Sequence, residues 1–84
     1  MNVNLIGFEK INYKKDNKVI EFINIYYSYI PSNFTENLVG QKVACRSVNI
    51  KYLDLLMKSG LGIYDIVFGD WNGKAIVDNL IFIK

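Results

Sequence analysis

Eighty-four residues make one domain rather than two, and an apolar half rich in Ile, Val, Phe and Tyr excludes an intrinsically disordered chain. A net charge of +2 does not by itself imply a nucleic-acid partner, and no apolar run approaches the roughly 18 residues that a membrane span needs. The absence of histidine removes the Ser-His-Asp and Cys-His nucleophile arrangements and every histidine-based metal site.

Taken in chain order, residues 3–13 read as a first strand. Val3, Leu5, Ile11 and Tyr13 share one parity, Ile6 and Phe8 the other, and Gly7 interrupts the alternation. A glycine there marks a bulge or bend, so the strand is expected to contribute to two faces. Residues 14–18, Lys-Lys-Asp-Asn-Lys, form a polar hairpin loop. Residues 19–29 are the second strand. Ile23, Ile25, Tyr27 and Tyr29 lie on its core parity, which leaves Tyr26 as the aromatic facing a polar surface. Pro31 ends it, because proline has no backbone donor. Residues 31–40 are a loop with a short turn around residues 34–38.

Residues 41–50 hold a third strand, centred on 42–48, where Val43 and Cys45 alternate with Ala44, Arg46 and Val48. Residues 50–58 are the one helical segment. Leu53, Leu56 and Met57 form its apolar stripe, Asn49 caps its start, and Gly60 or Gly62 ends it. Residues 63–68 are a fourth strand. The Asn72-Gly73 pair is a strong hairpin signal, with Trp71 just before it as a lid over the core, the favoured reading, or as an exposed contact for a partner. Residues 74–83 are the fifth strand, with apolar residues on both parities, so burial on both sides is expected over part of its length.

The chain is thus expected to be mainly all-β, a single domain over residues 1–84. The order β-β-β-α-β-β with one short helix fits a five-stranded OB-like barrel. An SH3-like barrel, or an open sheet packed on one helix, is the alternative.

No catalytic site is expected. Cys45 as a nucleophile is outweighed by its reading as a small buried core residue. Asp65, Asp70 and Asp78 can be imagined meeting across the last hairpin to hold a cation, but solvated strand and turn residues are the simpler account. The paired Gly60 and Gly62 lack the remaining elements of a phosphate loop. No cofactor and no metal are expected. A lone cysteine and an N-terminus without a signal-peptide pattern point to a cytoplasmic protein with no membrane partner.

Charge and aromatic placement carry the functional reading. Residues 10–18 hold four lysines and one aspartate, and residues 42–58 hold four basic residues and one acid. Six tyrosines accompany them. Proteins that bind single strands without sequence preference pair a cationic groove with aromatic rings, because every base has a π-face and every linkage a charge. Tyr26 is the stacking candidate by parity. Lys14, Lys15 and Lys18 on the first hairpin, with Lys42 and Arg46 on the third strand, are the candidate phosphate contacts.

Gly62-Ile63-Tyr64 entering a strand, then a turn, then residues 76–84 (Ile-Val-Asp-Asn-Leu-Ile-Phe-Ile-Lys) closing the chain, follow a basic first hairpin and a tyrosine-bearing strand. This pattern resembles the small helix-destabilising, single-stranded-DNA-binding proteins of filamentous phages and related mobile elements. The resemblance spans the chain in element order. It implies an OB-type fold, a homodimer, sequence-independent binding of single-stranded DNA in replication or transfer, and a binding wing at Lys14, Lys15, Lys18 and Tyr26 or Tyr27. The alternative is a β-barrel adaptor whose aromatic face binds another protein and no nucleic acid.

Overall fold

The computed structural model describes residues 1–31 and 37–84. Strands β1 (Asn2–Lys15), β2 (Lys18–Tyr29) and β3 (Lys42–Asn49) precede a 3₁₀ turn (Ile50–Tyr52) and helix α1 (Leu53–Ser59). Strands β4 (Gly62–Trp71) and β5 (Lys74–Phe82) follow. The turn expected around residues 34–38 lies in part outside the described residues.

The five strands form one antiparallel sheet in the order β3-β2-β1-β4-β5. This all-β arrangement, with its helix between β3 and β4, fits the OB-like order expected from the sequence. β3 and β5 stand at the two ends of the hydrogen-bonded order, and they approach each other without a ladder between them.

Two bulges explain the mixed parities of the first and last strands. The β1–β2 register shifts between Leu5 and Gly7, so Ile6 is an extra residue. Val3 and Leu5 before the bulge and Phe8 after it therefore all pack on the core despite their different parity. The β4–β5 register shifts between Val67 and Phe68, which pair with Asn79 and Val77 and leave Asp78 as the extra residue. Val77 before it and Leu80 and Phe82 after it turn inward. The expected two-sided burial of β5 is thus corrected: a phase change in a one-sided strand produces the same pattern, and Ile76 and Ile81 remain exposed.

Both hairpins close through two-residue turns with positive φ at each central residue, Asp16 and Asn17 in the first, Asn72 and Gly73 in the second. Such turns match the right-handed twist of the strands they join. The first is so tight that Lys14, Lys15 and Lys18 belong to strands and not to a loop.

The core is built from Val3 and Leu5 of β1, Ile23, Ile25 and Tyr27 of β2, Val48 of β3, Leu56 of α1, Tyr64 and Ile66 of β4, and Leu80 of β5. The helix end of the sheet is tied down by local chemistry. The Asn49 side chain accepts from the Lys51 amide at 2.9 Å, as a cap. Tyr64, fully buried, donates its hydroxyl to the Gly60 carbonyl at 2.7 Å, just where a positive φ ends α1. The expected helical stripe is corrected at one position: Met57 is exposed, and Leu53 and Leu55 flank the buried Leu56 instead. The 3₁₀ start tightens the first turn and rotates the face that meets the sheet. Among the described residues no helix is long and apolar enough to cross a membrane.

β1 and β2 outrun their neighbours. β4 pairs with β1 only as far as Leu5, and β3 reaches β2 only as far as Phe22. Residues 12–15 and 18–21 therefore project as a two-stranded ribbon, with no third strand among the described residues on either side.

Candidate nucleic-acid interface

The outer face of β1, β2 and β3 can be read row by row from the strand pairing. At the ribbon tip Lys15 faces Lys18, then Tyr13 faces Ile20, then Ile11, Phe22 and Asn49 align. Glu9, Asn24 and Ser47 form the next row, and Gly7, Tyr26 and Cys45 the one beyond it. Directly paired residues share a face, and alternate residues return to it. Eight residues of β1 separate Lys15 from Gly7, so at about 3.4 Å per residue this face runs about 27 Å.

Tyr26 is held in place on that face. Its hydroxyl donates to Glu9 Oε1 one row away. A methyl group built on Gly7 would sit 3.8 Å from Tyr26 Cδ2, so the ring rests against the bare backbone of β1. Tyr26 is half-buried. The hydrogen bond to Glu9 raises the phenol pKa above its ordinary value, with desolvation and the charge of Glu9 acting in the same direction. Beside it, Ser47 donates to Asn24 Oδ1 at 3.0 Å and fixes the next polar row.

Tyr13 is the aromatic that the sequence reading passed over. It is exposed, two residues from Lys15 on the same face, and its ring meets Phe22 edge-on with centroids 6.2 Å apart. The missed signal was positional. Once Asp16-Asn17 is read as the whole turn, Tyr13 and Lys15 fall on one strand and one parity.

The other candidates divide. Lys15 and Lys18 lie on the outer face, while Lys14 pairs with Val19 on the opposite side of the ribbon tip. Lys10, also on that side, makes an ion pair with Glu21 at 3.5 Å. Tyr27 is corrected from candidate contact to core residue: it is 2% exposed, with its ring 5.9 Å from that of Tyr29. Lys42 and Arg46 are not brought together with Tyr26. They share the parity of Ala44 and Val48, on the core side of β3, where Lys42 pairs with Tyr29 and Arg46 with Ile25. The Arg46 guanidinium lies 5.5 Å from the centre of the Phe68 ring.

Two further expectations change. Cys45 is exposed, because the third strand turns its odd residues outward beside Tyr26. Trp71 is 63% exposed at the tip of β4 opposite Lys74, since the turn carries it past the core it was expected to cover. The aspartates do not assemble: among the described residues no three His, Cys, Asp or Glu side chains are grouped as metal ligands. Asp65 instead receives the N-terminal ammonium at 2.8 Å. Comparison with family models, with curated proteins and with solved structures gives no match for this chain.

Proposed function

We propose that the outer face of β1, β2 and β3 binds single-stranded nucleic acid, DNA in the leading reading, without sequence preference and without catalysis. The observation that carries this is the continuity of the face: two lysines at the ribbon tip, an exposed Tyr13 next to them, and Tyr26 held further along. Lysines neutralise phosphates, and rings accept whichever base arrives, so the combination is tolerant of sequence. Its length suits a strand of several nucleotides, in the range of about 4–16 per OB fold. Glu9 lies at the centre of the face, accepting from Tyr26, so the positive charge of the face concentrates at the tip. The resemblance to phage helix-destabilising proteins adds the biological setting, replication or transfer of a phage or mobile element, and a homodimer as the working form.

The test is a titration of fluorescently labelled oligothymidine at low salt. Saturable binding that weakens as salt rises supports the reading. No binding at low salt overturns it.

The adaptor reading rests on a different surface. The outer face of β4 and β5 exposes Val67, Ile76, Ile81 and Trp71. A contiguous apolar surface of this kind marks protein contacts more often than nucleic-acid contacts. Failure of the oligothymidine titration would leave this face as the working one.

A further inference from the structure

Arg46 has the core parity of β3, yet its side chain is exposed. β3 directs Ala44, Arg46 and Val48 to the side that faces Tyr27, Ile25 and Ile23 of β2. Val48 is buried in the core, but Arg46 lies at the seam where β3 and β5 approach without hydrogen bonds.

That seam carries an open groove of about 330 Å³, bordered by the small side chains of Ala44 on β3 and Ala75 on β5. Tyr27, Tyr29 and Phe68 supply its aromatic walls, and Arg46 is the one side-chain charge on its lining. Met1 also contributes, but its ammonium is engaged by the Asp65 carboxylate and the Ile66 carbonyl.

The guanidinium carbon lies 5.5 Å from the centre of the Phe68 ring, within cation–π range. The ion pairs among the described residues are Met1–Asp65 and Lys10–Glu21, so among these residues no carboxylate is within ion-pair distance of Arg46. An apolar, aromatic-walled space with a single oriented donor group is the usual make-up of a small-molecule site. The geometry points to a ligand that matches both features. We propose that the β3–β5 seam binds a flat aromatic carboxylate of one or two rings. The ring system lies against Tyr29 and Phe68, and the carboxylate accepts two hydrogen bonds from the Arg46 edge, the pairing for which a guanidinium is shaped. This site is separate from the outer face proposed for nucleic acid, and neither reading depends on the other.

Amide NMR spectra of the full chain test it, with indole-3-acetate as the probe and tryptamine as its counterpart with the same ring and a cationic arm. The expected result is a saturable shift of the Ala44, Phe68 and Ala75 amides with indole-3-acetate and at least tenfold weaker binding of tryptamine. Arg46→Gln should weaken indole-3-acetate at least tenfold, and Arg46→Lys should fall between, since an ammonium keeps the charge but loses the fork. Equal affinity for the two probes, no saturable shift up to the solubility limit, or shifts confined to another surface would each overturn the proposal. Should Arg46→Gln fail to fold, the two-probe comparison on the unaltered protein decides alone.

Discussion

Tyr26 reaches across the β1–β2 pair to donate a hydrogen bond from its hydroxyl to Glu9, while its ring lies beside Gly7. Three residues from two strands thereby set the orientation of one half-buried ring. The bulge at Ile6 is what brings Gly7 opposite Tyr26.

This contact has a pH signature. The Glu9 hydrogen bond raises the Tyr26 pKa, so the folded chain holds the phenol proton more tightly than the unfolded chain. Its contribution to stability is therefore fully present below the ordinary tyrosine pKa of about 10 and is lost as pH rises through the folded value. Phenolate absorbance should show a tyrosine titrating late that vanishes in Tyr26→Phe and moves back toward the ordinary value in Glu9→Ala. Tyr64, raised by burial, should stay late in both variants. An unchanged late titration in Glu9→Ala would show that the Glu9 bond does not form in solution.

Charge and stacking should separate in the binding of oligothymidine. Replacing Lys15 and Lys18 with glutamine should weaken binding and flatten the log–log salt dependence by roughly 1.4, at about −0.7 per lost phosphate contact, whereas Lys14→Gln should change it less, because Lys14 lies on the opposite side of the ribbon tip. Lys42→Gln should leave the slope nearly unchanged, because Lys42 has the parity of the core side of β3. A slope that responds to Lys42 and not to the ribbon lysines would place the strand elsewhere.

Tyrosines on the adjacent strands β1 and β2 should fail in different ways. Tyr13→Ala and Tyr26→Ala should each cost about 1–3 kcal/mol of binding with the salt slope kept. Tyr27→Ala should instead cost stability, about 3–5 kcal/mol by denaturant unfolding, as for other buried aromatics. If Tyr13→Ala and Tyr26→Ala bind like the unaltered protein, the outer face is not the binding surface.

Cys45 offers an independent probe of the same face, since it is exposed and paired with Tyr26. It should react with a thiol reagent without prior unfolding, and Cys45→Ser should change stability by no more than about 0.5 kcal/mol. A bulky maleimide adduct on Cys45 should block oligothymidine binding while Cys45→Ser binds normally. Full binding by the adduct would move the strand's path away from β3.

Alternation and turn chemistry in the sequence already determined the five strands, the one helix and their order. Ile23, Ile25 and Tyr27 at period two can only line one face of a strand, and Asn-Gly, like Asp-Asn, can take the positive φ that a two-residue hairpin demands. Asn49 was legible as a cap for the same local reason. Only the tertiary structure decided the rest. A bulge shifts phase by one residue at no cost visible in composition, so Ile6 and Asp78 could be located only from strand pairing. Parity assigns a residue to one of two faces, but which part of a face is covered depends on where neighbouring strands stop. That is why Tyr13, Cys45 and Trp71 stand exposed, and why Arg46 borders a seam rather than joining Tyr26. Exposure is set by contacts between segments far apart in the chain, and local periodicity carries no record of them.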